Sequence, residues 1–309
     1  MRSDLVSIVV PTYKRPAQLV TALRSALEQR ANGFELEVVV IDNDPEASAC
    51  EAAWACPGIR YVAEARTGLS HARNRGLVEA RGRYIFFLDD DMEALPGCIA
   101  ALLDGLAAHD AQIAFAAVDA VLPSGVEPGM SRIMRPLFSR RPDWPEGPIA
   151  VELGEGGLGA GGAMIDRGAC VLPDPAFDSA QDASGGEDDV FFETLRRAGA
   201  QFSWVPSART LEHVPAHRAT LAYLWKRNFA FGQGPAQTEA DRDRALGVAK
   251  WMLVGLAQMG LRLPVWAVRH ALRSPQRARS HALLAQALGK IVWWQPPTLY
   301  GPNAQPPCA

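Results

Sequence analysis

Tyr84-Ile85-Phe86-Phe87-Leu88-Asp89-Asp90-Asp91 is the stretch on which the reading of this chain turns. Five apolar and aromatic residues in a row have the length and composition of a buried strand. Three carboxylates follow at once. Like charges side by side repel, and burying them is costly unless something positive pairs with them. Open α/β sheets bind ligands beyond the carboxyl ends of their strands, so acids at this place suit a bound cation. Magnesium and manganese take oxygen ligands and keep phosphate oxygens and water. If strand geometry persists, Asp89 and Asp91 share a face. The plain alternative is a solvated acidic turn.

Outward from this strand the chain alternates. Residues 5–10 are β-branched and stop at Pro11, which reads as a buried strand. Residues 16–29 carry Pro16 in the first turn and apolar residues at helical spacing. Strands are expected at 36–41, 59–63, 83–88 and 113–117, and helices at 46–54, 70–80 and 96–108. This βαβα rhythm implies an α/β fold with a Rossmann-like, mostly parallel sheet flanked by helices. The rhythm breaks across 123–162, rich in Pro and Gly with Arg132, Arg135, Arg140, Arg141 and Trp144. Such a segment reads as a substrate-facing loop region. Regularity returns at 163–165, then a helix over 188–198 ended by Gly199, a short strand over 201–205 and a helix over 218–231.

The last part differs in charge. Residues 1–207 hold 18 basic and 30 acidic side chains, and residues 208–309 hold 13 basic and 4 acidic. The formal net charge of −3 argues against a general nucleic-acid binder. A basic end suits either an anionic membrane surface or a solvated face. Apolar helices over 248–261 and 282–294 fit a membrane interface or packing on the catalytic domain. No run of 18 or more uncharged apolar residues occurs, so no membrane span is expected. Residues 295–309, with five prolines, read as a loose tail. Cys50, Cys56, Cys98, Cys170 and Cys308 form no CxxC pair, which favours reduced thiols in a cytosol. The short apolar start does not match a secretion signal.

Several residues are candidates for chemistry. Glu187-Asp188-Asp189 follows Gly185-Gly186 and opens a helix, where acids also suit the positive helix terminus. A carboxylate facing a sugar hydroxyl would take its proton during attack. Paired with a cation site at the aspartate triplet, this suggests group transfer from a nucleotide diphosphate. Pro11-Thr12-Tyr13-Lys14-Arg15 lacks the glycines of a dinucleotide-binding turn, and no GxxxxGK[ST] occurs. The GxGxxG spacing over 154–159 opens no clear helix and reads as chance. Asp42, directly after the second strand, either accepts from a base or ribose or caps the next helix. His213 is a third metal ligand, a phosphate contact or a structural residue. Arg227 has the guanidinium that pairs well with a diphosphate.

Together these motifs resemble the family-2 glycosyltransferases, which share the GT-A fold, over about residues 5–232. The likeness rests on 9–15 with 39–43, on Gly68-Leu69-Ser70-His71-Ala72-Arg73-Asn74-Arg75-Gly76, on 84–91 and on 186–192. Glu212-His213-Val214-Pro215 through Lys226-Arg227-Asn228-Phe229 is similar to the exopolysaccharide branch, near succinoglycan-type glucosyltransferases. The resemblance implies a GT-A domain over 1–235, with a nucleotide-sugar half to 120 and an acceptor half beyond it, and a helical, basic C-terminal region over 236–309. It implies that Pro11, Thr12, Arg15, Asp42 and Arg73 bind the donor, that Asp89 and Asp90 hold the nucleotide, and that Asp91 takes Mn2+ or Mg2+. It implies Asp188 as general base assisted by Glu187, with Gly161 and Gly162 bordering the acceptor. The expected reaction is inverting transfer of a hexose from a nucleotide diphosphate sugar, often UDP-linked, to a saccharide, lipid-linked in this branch. The expected location is cytoplasmic, peripheral on the inner face of the membrane. The QxxRW motif of processive members is absent, which argues against a polymerising synthase. Two rivals remain open: a sugar-nucleotide-binding partner without activity, and a nucleotidyltransferase, for which Lys14-Arg15 is a poor substitute for a Gly-rich basic loop.

Overall fold

The computed structural model describes residues 4–30, 33–149, 158–182 and 186–294. Most of the GxGxxG stretch, Gly185, the expected tail and Cys308 lie outside these residues. The chain forms two compact units, Met1–Ala120 with Phe138–His213, and Val121–Leu137 with Val214–Ala309.

In chain order the elements are β1 (Asp4–Thr12), α1 (Pro16–Leu27), β2 (Phe34–Asp42), α2 (Cys50–Trp54), β3 (Ile59–Ala63), α3 (Leu69–Glu79), β4 (Tyr84–Phe87), β5 (Met92–Ala94), α4 (Cys98–Ala108) and β6 (Ile113–Val121). Then follow α5 (Pro128–Phe138), β7 (Gly147–Pro148), β8 (Ala163–Asp166), α6 (Glu187–Arg197), β9 (Phe202–His213), α7 (Leu221–Ala240), α8 (Ala245–Ala271) and α9 (Arg277–Ile291). The sheet of the first unit runs β3-β2-β1-β4-β8-β6-β9-β5, with β7 on β9. The first four strands are parallel, as the βα rhythm requires. Beyond β4 the pairings of β8 with β4 and β6, and of β9 with β5 and β7, are antiparallel, so the sheet is mixed.

Side-chain alternation along the strands builds two cores. Val6, Ile8, Val10 and Phe86 face α1 and α4. Val9, Ile41, Phe87 and Phe115 face the opposite side, where Phe191 and Phe192 of α6 pack. Each fully buried side chain of this size stabilises the fold by about 1.5–3 kcal/mol. Register sets the working edge. Thr12 lies opposite Asp42, and Val9 lies opposite Phe87, so Thr12, Asp42 and the aspartate triplet emerge at one end of the sheet.

Two sequence expectations are corrected, and one strand was not foreseen. The stretch 123–162 is not irregular throughout. Met130, Ile133, Met134, Leu137 and Phe138 have helical spacing and form one face of α5, with Met134 and Phe138 buried. Pro128, Gly129 and Pro136 hid this pattern. The strand expected to end at residue 205 continues to His213, because Pro206 interrupts the reading but not the strand. Met92–Ala94 is an edge strand on β9 that three residues were too few to announce.

The second unit holds α7, α8 and α9. Residue 235, taken as a domain boundary, lies inside α7. Close helix contact depends on glycine. A Cβ on Gly232 would lie 2.3 Å from the Gln286 carbonyl oxygen, and one on Gly289 would lie 2.1 Å from that of Phe229. Helix α8 is 27 residues long and, by length and composition, apolar enough to cross a membrane despite the expectation of no span. Lys250 and Arg262 interrupt its apolar run without lowering the average enough to exclude it.

Candidate active site

The aspartate triplet sits where β4 ends. The strand stops at Phe87, and the Met92 N–H donates to the Asp89 carbonyl oxygen at 3.0 Å, closing a turn. The strand geometry on which the shared face of Asp89 and Asp91 was expected therefore does not persist through the triplet. Asp90 is buried. It accepts from the Thr12 hydroxyl at 2.8 Å and from Arg15 Nη1 at 3.0 Å. The same Arg15 nitrogen reaches Asp91 Oδ2 at 3.3 Å. Burial, reinforced by Asp91 and opposed by Arg15, pushes the Asp90 carboxyl up to about 6. Asp89 turns the other way and accepts from Arg73 Nη2 at 3.4 Å.

Arg73 joins the two acidic clusters. It lies on the inner face of α3, and its side chain is 2% exposed. One turn later Gly76 lets the helix press on β1, since a Cβ there would lie 2.3 Å from Val9 Cγ1. Arg73 Nη1 donates to Glu187 Oε1 at 2.8 Å and to Asp188 Oδ1. Its guanidinium lies over the Phe177 ring, 5.5 Å from the centroid. Burial works against its charge, but Asp188, Asp89 and Glu187 outweigh burial and hold its pKa above the ordinary arginine value. The sequence reading gave Arg73 to the donor; the structure places it between carboxylates.

Glu187, Asp188 and Asp189 form the first turn of α6, after Gly186 at φ +97°. Burial and the Asp188 charge raise the Glu187 pKa against the pull of Arg73. Asp188 Oδ2 accepts from the Ala160 N–H at 2.9 Å. A carboxylate offers about four acceptor positions, so Asp188 keeps capacity for a further donor. Gly161 and Gly162 lie on the strip that carries Ala160. A Cβ on Gly159 would lie 2.9 Å from Asp188 Oδ2, and one on Gly161 would lie 2.4 Å from Asp89 Oδ2. Both acidic clusters are thus seated against the backbone 159–162, and only glycine permits that closeness.

Other expected residues are placed differently. Pro11 is buried, directly before Thr12. Asp42 is fully buried after β2, beside the loop that leads into α2. It accepts from the Asp44 and Ala49 N–H groups at 3.2 and 2.9 Å and from the Tyr61 hydroxyl at 2.9 Å. The His213 backbone N–H donates to the Asp91 carbonyl at 2.7 Å, while its imidazole Nε2 meets the Glu93 carboxylate. Arg227 belongs to the second unit, where it donates to the Leu137 carbonyl and the Tyr223 hydroxyl and lies over Phe231.

Sequence reasoning missed Glu93, Phe177 and Asp182. Asp182 accepts from the Ser70 N–H at 2.8 Å and so caps α3. Asp182 and Phe177 fall in a Pro- and Asp-rich stretch with no periodic signal. Arg140, read as part of a loop, donates to the Gly161 carbonyl at 3.3 Å and pairs with Glu212 at 2.9 Å.

The donor set suits a hard divalent cation in part. Asp89 and Asp91 offer carboxylate oxygens on one turn, the ligand type magnesium and manganese prefer. Among the described residues no group of three or more His, Cys, Asp or Glu side chains forms a metal cage. Two carboxylates leave most of the octahedral positions of such a cation to other oxygen ligands, such as phosphate and water.

Comparison with known proteins identifies the family and the fold. The family described as "Glycosyl transferase family 2" matches residues 7–170. The succinoglycan biosynthesis protein ExoM of Rhizobium meliloti is 31% identical over 294 residues, covering 92% of this chain and 89% of that protein. ExoO of the same organism, also named for succinoglycan biosynthesis, is 38% identical over 124 residues, 39% of this chain and 35% of its own length. Two solved structures share the fold at a TM-score of 0.50 each. They are S. aureus TarS 1–349 with UDP-GlcNAc (18% identity, 68% of this chain, 58% of that one) and GalNAc-T7 with UDP, GalNAc and Mn2+ (16% identity, 75% and 51%). The fold is GT-A, and with a family match across the first strand, the acid triplet and the glycine strip, the chain belongs to glycosyl transferase family 2.

Proposed function

We propose that the chain transfers a hexose from a nucleotide diphosphate sugar, UDP-linked, to a saccharide acceptor with inversion at the anomeric carbon. The observation that carries this reading is Arg73 spanning Asp89 on one side and Glu187 with Asp188 on the other. It brings acids separated by about a hundred residues onto one guanidinium within the first unit. Thr12, Arg15, Asp89 and Asp90 bind and orient the nucleotide. Asp91, with Asp89 nearby, is the residue that would hold Mn2+ or Mg2+, which when bound neutralises charge on the diphosphate. Asp188, fixed by Arg73 and the Ala160 N–H, accepts the proton of the acceptor hydroxyl as its oxygen attacks the anomeric carbon from the face opposite the diphosphate. Glu187 assists in acceptor binding, and Gly161 and Gly162 border that side.

The long match to ExoM supports exopolysaccharide synthesis as the setting. The acceptor in that setting is a lipid-linked saccharide, and the enzyme works in the cytoplasm on the inner face of the membrane. The test is nucleotide release from UDP-glucose, UDP-galactose, dTDP- and GDP-sugars, with and without manganese. Asp188→Asn is expected to lower turnover roughly 10²–10⁴-fold with the true acceptor. Near-normal turnover of that variant removes Asp188 from the role of base.

A further inference from the structure

Helix α8 is built inside out. Leu246, Leu253, Leu261 and Val268 recur at helical spacing on one face, continued by Leu272 just past the helix end, and their exposure runs from 57% at Val268 to 88% at Leu246. Arg262 and Trp266 point the other way, while Lys250 lies exposed on the same side as the stripe. Arg262 Nη1 donates to the Leu283 carbonyl of α9 at 2.7 Å, and Trp266 Nε1 donates to His281 Nδ1 at 3.3 Å. Of the 18-residue window that reads as most apolar, only 6% is buried. A helix meant for water turns its polar face outward, so this face awaits an apolar partner.

Charge identifies that partner. Before the stripe, Arg242 and Arg244 are matched by Glu239, Asp241 and Asp243, with Arg244 3.9 Å from Glu239; Lys250 in its first turns and Arg273 and Arg279 after it are exposed. Exposed cations on and just after an apolar stripe complement anionic headgroups over an acyl layer. The neighbouring helices decide the orientation. Helix α7 carries Lys226 and Arg227, and α9 carries Gln286 and Lys290, too much polarity for the bundle to be enclosed in hydrocarbon. We propose that the outward stripe of α8 lies flat in the interface of an anionic bilayer, with its leucines at the acyl boundary and Lys250, Arg273 and Arg279 on the headgroups. The choice of a bilayer rests in part on the reading of a lipid-linked acceptor, but the geometry of the helix does not.

The test is flotation of the full chain with phosphatidylcholine vesicles, with and without phosphatidylglycerol. The protein is expected to float with the anionic vesicles, and less so at high salt. The triple variant Leu253→Asp, Leu261→Asp, Val268→Asp is expected to lose tenfold or more of its bound fraction with unchanged helix content. Arg273→Gln with Arg279→Gln, a milder change, is expected to weaken binding to anionic vesicles and flatten its salt dependence. The proposal is overturned if the wild type does not float with anionic vesicles, or if the triple variant floats equally well. It is also overturned if light scattering shows a dimer without vesicles that the triple variant makes monomeric, since a second copy then covers the stripe. Donor binding in the same samples separates the two readings: flotation without binding of any of the nucleotide sugars, with manganese present, upholds the surface and counts against the transfer reading.

Discussion

The guanidinium of Arg73 faces Asp89, Glu187 and Asp188, so one buried cation answers three carboxylates. Removing a partner from a buried pair is expensive because the charges left behind stay unpaired. Arg73→Met is therefore expected to lower unfolding stability by about 3–5 kcal/mol, measured by urea denaturation, and to lower turnover with it. Arg73→Lys keeps the charge but not the fork that spans both clusters. It should lose less stability than Arg73→Met, while its turnover remains well below wild type. Gly161→Ala tests placement without removing a charge. Its Cβ would lie 2.4 Å from Asp89 Oδ2, so the carboxylate must move. Displacements of about 1 Å at a reacting site cost roughly 10²-fold, and a loss of that order in kcat/KM for the donor is the expected reading. The triplet was legible in sequence because three adjacent acids after an apolar run are costly without a task. The task of Arg73 was not, because helix phase shows that it points inward but not that Glu187 waits 114 positions later. Asp42 shows another limit: its position after β2 suggested either a ligand or a structural role, but its contacts with Ala49 and Tyr61 left no mark in the sequence.

At the scale of elements, α3 sets the position of Arg73, and Gly76 sets the position of α3. A Cβ at Gly76 would lie 2.3 Å from Val9 Cγ1, in a core that cannot yield. Gly76→Ala is expected to destabilise the protein by about 1–3 kcal/mol through overpacking. Turnover should fall too, as the helix carrying Arg73 shifts. Gly260→Ala in α8 is the control, because nothing lies within 4 Å of its Cβ position. There the gain in helix propensity is expected to stabilise by about 0.5–1 kcal/mol. Thermal unfolding of both variants checks the opposite signs. The elements most legible in sequence were those with unbroken periodicity, such as β1, α1, β2 and β4. Helix α5 and the second half of β9 were hidden by proline, which marks a break in local reading that tertiary pairing overrides. The position of β8 between β4 and β6 left no local mark at all, since strand order is settled by contacts far apart in sequence.

That strand order has a consequence for the molecule as a whole. The family resemblance divides the first 235 residues into a nucleotide-binding half to residue 120 and an acceptor half beyond it, but the sheet does not divide there. Strands β3, β2, β1 and β4 form a contiguous parallel set within the first half. Next to β4, however, comes β8, contributed by residues 163–166, and β6 pairs with that same strand. Strand β5 finds its partner in β9. A fragment ending at residue 120 thus leaves the β4 edge open and deprives β5 and β6 of those partners. It also removes Glu187 and Asp188 from Arg73. Unpaired apolar edges are templates for association, and a buried guanidinium without its carboxylates opposes folding. The fragment 1–120 is therefore expected to aggregate on size-exclusion chromatography and to show no cooperative thermal transition. The fragment 1–213 restores β8, β9 and α6 and is expected to unfold cooperatively. A sharp calorimetric transition in the shorter fragment would mean that β4 and β6 do not need the strand between them, and that the two acidic clusters belong to separately folding parts.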